Sequence, residues 1–254
     1  MKFHYLKKVA FKDLLVISLF CFVSSIPAFY YIFVLDVNFL FDLGKIFKKY
    51  KLDQVGPGFC LAKWTNSTMH LGMGKNHSCH HPHPHLIPVE EVVQDCSALH
   101  NSTYKKQVRT EMLNGQKPKE CDYCWTVEKT NSTSDRVILS SKFESLSHYK
   151  SIKETDTYDP TYLEVSFSNA CNFACAYCSP EISSKWMEDV KQSGGYDIGD
   201  YEVHNLDYMK QNNLIPILER EENPYIDAFW EIWPELYDNL KVFRITGGEP
   251  LLSK

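Results

Sequence analysis

Three cysteines on one short loop constrain this chain more than any other feature. Cys171, Cys175 and Cys178 have the spacing C-x3-C-x2-C. They follow Tyr162–Ser168, whose alternation of apolar and polar residues predicts a β-strand. Three thiolates this close together suit three corners of a 4Fe–4S cube and leave the fourth iron without a protein ligand. An open metal position of that kind is what a chelating ligand needs. A structural zinc ion usually takes a second cysteine pair, and none follows this loop.

Downstream, Ile182–Lys191 is expected to be helical, followed by a polar stretch to about Asn213. Asn223 is a good N-cap, with Pro224 at the first helical position. Ile226, Phe229, Trp230, Trp233, Tyr237 and Leu240 then recur at helical spacing and are expected to face the core, with Pro234 kinking the helix. Leu240–Thr246 predicts a second strand, ending in Gly247, Gly248, Glu249 and Pro250. Strand, helix, strand predicts a parallel βαβ unit. Ligand sites of parallel sheets lie at the carboxyl ends of the strands. The cysteine loop and the Gly-Gly-Glu-Pro turn should therefore face one site.

C-x3-C-x-aromatic-C followed by Gly-Gly-Glu-Pro resembles the signature of the radical S-adenosylmethionine (SAM) superfamily. The resemblance implies that Cys171, Cys175 and Cys178 bind a 4Fe–4S cluster and that SAM chelates the open iron. It implies that Tyr177 lies near the adenine and that Gly247, Gly248, Glu249 and Pro250 contact the methionine amino group. The implied reaction is reductive cleavage of SAM to a 5′-deoxyadenosyl radical. The implied fold class is α/β, the start of a partial (βα) radical SAM barrel in residues 158–254. Such a barrel needs several more βα units, so the chain is expected to be truncated, to bind SAM weakly and not to turn over alone. Ser179–Trp186, Phe59–Trp64, His77–Pro82, Glu120–Trp125 and Ser134–Arg136 resemble twitch-domain-containing radical SAM proteins. That likeness covers roughly residues 56–254. Lys185 and Trp186 are balanced between a role near SAM and the ordinary fates of a solvated lysine and a buried tryptophan.

Residues 56–150 are rich in His and Cys and are expected to be a small, loop-rich, metal-binding unit, with helices at Val89–His100 and Thr103–Asn114. Cys60, Cys79, Cys121 and Cys124 suit a fully ligated 4Fe–4S cluster or a structural zinc ion; unliganded core cysteines are the third reading. The twitch resemblance tips this set towards an auxiliary cluster. Cys96 stands alone. His77, His80, His81, His83 and His85 form a tract that can bind metal; the preferred reading is a solvated loop with local hydrogen bonds, His80 supporting Cys79.

Residues 1–55 differ from the rest. Leu14–Leu35 is uncharged and mostly apolar, long enough to span a bilayer as a helix. A membrane anchor, a soluble helix packed on the body and a cleaved signal peptide all fit, and Cys21 within the run reads as apolar filler. Nine cysteines in the chain would suit a disulfide framework only in a secreted protein, and the tight C-x2-C groupings favour metal in a reducing compartment instead. A cytoplasmic location, with possible tethering by residues 14–35, follows. Asn-x-Ser/Thr sequons at Asn66, Asn76, Asn101 and Asn131 are discounted. The net charge of −5 gives no basic footprint for nucleic acid. The expected partners are SAM, an electron donor and a peptide or protein substrate. Two other classes stay open: a non-catalytic electron-transfer protein and a zinc-stabilised, membrane-tethered interaction module.

Overall fold

The computed structural model describes residues 52–53, 55–140, 152, 157–196, 204–218 and 221–253. The apolar run Leu14–Leu35, with Cys21, lies outside the described residues. No helix among the described residues is long and apolar enough to cross a membrane.

Five strands form one mixed sheet: β1 (Asn66–His70), β2 (Lys75–His77), β3 (His85–Leu86), β4 (Tyr162–Ser166) and β5 (Val242–Thr246), in the order β3-β2-β1-β4-β5. The chain is thus α/β. The strands at β4 and β5 are the two anticipated from the sequence, and they pair in parallel with Tyr162 opposite Val242 and Ser166 opposite Thr246. β1 also pairs with β4 in parallel, Asn66 opposite Tyr162 and His70 opposite Ser166. β2 and β3 extend the sheet antiparallel.

The strands at 66–86 sit in the stretch expected to be loop-rich. They are largely polar, and hydrogen bonds from buried polar side chains add to the packing of Met69 on the core. Asn76 is fully buried, and its amide donates to Ser67 Oγ at 2.7 Å and to the Leu99 carbonyl at 2.6 Å. Asn101 is buried too. Two of the four sequons are therefore inaccessible in the fold.

Helix α1 (Ala62–Thr65) leads into β1. The helix expected over Val89–His100 is broken into α2 (Val89–Gln94) and α3 (Ala98–Asn101). Asp95 is extended between them, and its carboxylate accepts from Ser97 N at 2.9 Å. That local capping bond competes with the helix. Helix α4 (Thr103–Leu113) starts at the Ser102 cap and stops before Gly115, which has φ +77. Helices α5 (Asp122–Lys129) and α6 (Asp135–Ser140) follow. Beyond β4 come α7 (Ser184–Ser193), α8 (Leu206–Gln211) and α9 (Pro224–Asn239). The Asn223 side chain caps α9, accepting from Tyr225 N and Ile226 N, and the helix runs through Pro234.

Two apolar clusters hold the unit together. One face of the sheet, with Met69, Leu163 and Val165, packs on Tyr225, Ala228, Phe229, Ile232 and Leu236 of α9 and on Ile87, Val92 and Leu99. Of the expected stripe, Phe229 is buried and Ile226, Trp233 and Leu240 pack against the core. Trp230 and Tyr237 are exposed, because Phe229, Ile232 and Leu236 hold the inner face; Trp230 stacks instead on Phe167, ring centroids 5.6 Å apart. The second cluster gathers Phe59, Leu61, Trp64, Val108, Met112, Trp125 and Val137 around Cys60, Cys121 and Cys124.

Candidate metal and cofactor site

The cysteine loop is built on hydrogen bonds to the start of α7. Ser184 Oγ accepts from Cys171 N at 2.9 Å and donates to the Cys171 carbonyl at 3.0 Å. Ser183 Oγ donates to the Phe173 carbonyl at 2.8 Å, and Trp186 Nε1 donates to the Cys175 carbonyl at 2.8 Å. Cys178 N closes a turn onto Cys175 O at 2.9 Å. Serines, a helix start and an indole thus fix the backbone on which the three thiols sit. The thiols are half-buried; slight desolvation, Cys175 and Cys171 together push the Cys178 thiol up from its ordinary value. Tyr177 is almost fully exposed, and its hydroxyl is raised by a hydrogen bond to Cys175 and by the charges of Cys175 and Cys178.

The Gly-Gly-Glu-Pro turn lies directly on this loop. Glu249 N donates to the Ala170 carbonyl at 2.7 Å. A Cβ at Gly248 would stand 2.4 Å from Ala170 O and 2.9 Å from Cys171 Cβ. At Gly247, where φ is +115, it would stand 2.6 Å from Ser166 Oγ. Glycine is required at both positions, by the close approach and, at Gly247, also by the dihedral. Two motifs far apart in sequence therefore meet at the carboxyl ends of β4 and β5. Trp186 positions the loop, whereas Lys185 forms an exposed ion pair with Glu188 at 2.6 Å on the helix surface. The donor set suits a cluster with an open iron: three soft thiols sit on one partly open loop, with a backbone turn beside them.

The second cysteine set also comes together. Cys60, Cys79, Cys121 and Cys124 line one cavity with Lys63, His81, Asp135 and Arg136. Cys60 precedes α1, Cys79 follows β2, Cys121 ends a 3-10 turn at Lys119–Cys121 and Cys124 lies in the first turn of α5. Burial pushes the Cys60 thiol up to about 11 and Cys121 up to about 12, and raises Cys79 and Cys124. Neighbouring cysteines add to the shifts at Cys60 and Cys121. A four-thiol pocket of this kind fits a metal centre, because a bound cation offsets the cost of four thiolates.

Arg136 braces the pocket. Its guanidinium donates to both Glu128 oxygens at 2.8 and 2.7 Å, to the Phe59 carbonyl at 2.9 Å and to Asp53 at 3.1 Å. Ser134 Oγ donates to the same Glu128 at 2.6 Å. These bonds give the Ser134-Asp-Arg136 stretch a physical role beside Cys60.

The histidine run divides. His81, rather than His80, lines the pocket; its Nε2 lies 2.8 Å from Asp135 Oδ2, and its ring stacks on Tyr123 at 3.8 Å. His80 is largely exposed, 3.6 Å from the same carboxylate. His80, His81 and Asp135 are the one group of three potential ligands, among the described residues, whose donor atoms all lie within 4.8 Å of one another. His77 pairs with His70 of β1, Nε2 to Nε2 at 3.1 Å, and His85 contacts Ser102 Oγ at 3.3 Å. Cys96 is half-buried against the sheet cluster, apart from both sets.

A buried cationic group escaped sequence reasoning altogether. Lys105 Nζ contacts Asn76 Oδ1 at 3.1 Å and His100 Nδ1 at 2.9 Å. Arg109 donates to the Lys63 carbonyl at 2.9 Å and to Asn101 Oδ1 at 2.6 Å, and its Nη2 lies 2.9 Å from His100 Nε2. All three side chains are buried. On a helix surface such residues look solvent-facing, and no sequence pattern marks them otherwise.

No family model matches the chain, and no solved structure matches it. A stretch of 93 residues, 37% of this chain, is 31% identical to the GTP 3′,8-cyclase of Aliarcobacter butzleri and covers 20% of that protein. The Campylobacter jejuni GTP 3′,8-cyclase is 29% identical over the same length and share. The match therefore spans about a fifth of the length of these curated relatives. This distant similarity supports the radical SAM superfamily in general, and no subgroup within it.

Proposed function

We propose that this chain carries a radical SAM site, with Cys171, Cys175 and Cys178 as cluster ligands and Gly247–Pro250 as the turn that receives the methionine end of SAM. The observation that carries this reading is the bond from Glu249 N to the Ala170 carbonyl, which seats the turn against the cysteine loop. When bound, the reduced cluster supplies the electron that cleaves SAM to methionine and a 5′-deoxyadenosyl radical. The chain's own residues do the positioning. Trp186, Ser183 and Ser184 fix the loop, Gly247 and Gly248 let the turn approach it, and the backbone of 247–250 is offered to the ligand's polar end. Tyr177, exposed between Cys175 and Cys178 in sequence, would lie beside the adenine.

The second cysteine set is read as the ligands of an auxiliary 4Fe–4S cluster. Four thiols from three segments suit that centre, and a structural zinc ion takes the same donor set. The twitch-like assignment and a peptide or protein substrate rest on resemblance alone.

The test is to reconstitute the chain anaerobically with iron and sulfide, reduce it with dithionite and record its EPR spectrum with and without SAM. The expected result is a spectrum altered by SAM in the parent chain and unaltered when Cys171, Cys175 and Cys178 are replaced by Ala. An iron-loaded parent chain whose spectrum ignores saturating SAM would overturn the reading.

A further inference from the structure

The four-cysteine pocket has an asymmetric electrostatic setting. Arg136 is matched by Glu128 and Asp53, and Lys63, buried on the pocket wall, pairs with Glu120. Lys105 and Arg109 are different. They are 1% and 3% exposed, and among the described residues neither has a carboxylate partner. Their contacts are neutral: two asparagine carbonyls, backbone carbonyls and the His100 imidazole between them. Burying an uncompensated cation is costly, and removing it usually stabilises a fold unless a counter-charge is present.

The counter-charge at hand is the cysteine set. Lys105 bonds Asn76, three residues before Cys79, and Arg109 bonds the carbonyl of Lys63, whose side chain lines the cysteine pocket. Glu120 also acts on Lys105 but is already paired with Lys63, so with neutral thiols Lys105 and Arg109 have no counter-charge of their own. Four thiolates around a divalent ion, or around an oxidised cubane core, carry a net charge of about −2. Burial, Arg109 and Lys63 drive Lys105 well below its ordinary value, while Glu120 and Cys79 act to raise it. A centre of that charge would restore the ammonium.

We propose that Lys105 is a charge-balancing residue for a dianionic tetrathiolate centre at Cys60, Cys79, Cys121 and Cys124, seconded by Lys63 and Arg109. This rests on the reading of that pocket as a metal site, and it holds for either metal. It assigns Lys105 no contact with the metal. Its part is to lower the cost of four buried thiolates and, in a cluster, to favour the reduced state.

The test compares Lys105→Met, which keeps the length and removes the charge, with Lys105→Arg, which keeps the charge. Both are made in the full chain carrying Cys171→Ala, Cys175→Ala and Cys178→Ala, so that one cysteine set remains to bind Co2+ through several thiolates. Co2+ is titrated against a competing chelator and followed by thiolate-to-metal absorption. The expected result is an affinity at least tenfold weaker for Lys105→Met and within about threefold of the parent for Lys105→Arg. Metal-free Lys105→Met should melt no lower than its parent, because burying the ammonium, or discharging it to bury the amine, is costly without a counter-charge. Equal Co2+ affinities in parent and Met variant would overturn the charge role, as would a Met variant whose metal-free form melts well below the parent. If the parent itself shows no thiolate-to-Co2+ absorption, the metal-site reading fails, and the charge role falls with it. In the iron-loaded chain with its radical-site cysteines intact, Lys105→Met should lower the reduced-to-oxidised ratio of the second cluster at fixed potential about tenfold, equivalent to about 59 mV. The radical-site ratio should stay where it was.

Discussion

The indole nitrogen of Trp186 donates to the carbonyl of Cys175 at 2.8 Å, so the first turn of α7 holds the middle cysteine of the loop from behind. Trp186 also meets Tyr196 and His204 edge-on, at 6.2 and 5.1 Å between centroids. Replacing it with Phe keeps most of the packing and removes the donor. The expected effect is a loss of about 1 kcal/mol of local stability and faster iron loss from the radical site under a chelator, ahead of any loss from the second cysteine set. Iron release followed at two wavelengths or by EPR separates the two.

Gly248→Ala tests the seating of the turn. The added methyl would meet Ala170 O at 2.4 Å, a backbone atom that has no rotamer to move. The turn should lift off the loop. A SAM-induced change in the cluster spectrum should then be lost while the iron content stays near the parent value, measured on the same sample.

Arg136→Ala strips the donor from three acceptors at once and breaks the buried ion pair with Glu128. Breaking such a pair costs about 3–5 kcal/mol. Metal binding at Cys60, Cys79, Cys121 and Cys124 should fall with it, because the Phe59 carbonyl beside Cys60 loses its anchor. Thermal melting and metal stoichiometry together check this. Arg136→Lys should recover only part of the stability, since one ammonium cannot replace the forked contact.

The metal-free pocket should carry a pH signature. Cys60, pushed up to about 11 by burial, and Cys121, pushed up to about 12, bind protons in the fold that the unfolded chain gives up near pH 9. Above that point the unfolded state holds fewer protons, so stability falls as pH rises towards 11. Denaturant melts of the metal-free chain from pH 8 to 10.5 should show this loss, and Cys60→Ala should flatten it.

Much of the site was legible because its chemistry is local. The C-x3-C-x2-C loop, the Asn223 cap with Pro224, and the strands at β4 and β5 each depend on a few adjacent residues. The strands at 66–86 were not legible. Asn66, Ser67, Lys75 and Asn76 lack the apolar alternation that marks a strand, and their stability comes from bonds to Leu99 and from pairing with β4 across about a hundred residues of chain. Trp230 and Tyr237 of α9 fall outside the core for a related reason: aromatic and aliphatic residues run round more than one face, and the sheet chose the one centred on Phe229. The gathering of four cysteines from three segments, and the matching of Arg136 to Glu128 beside them, are likewise tertiary facts.

The parallel pairing of β1 with β4 has a thermodynamic corollary. Cys79 follows β2, which is paired to β1, and Cys171 follows β4, so both cysteine sets draw on a single sheet. A metal that binds only the ordered form of its own set stabilises the strands the other set needs. Loading should thus be cooperative without any contact between the two centres. In a titration with limiting iron and sulfide, molecules filled at one site alone should be scarcer than independent filling would give.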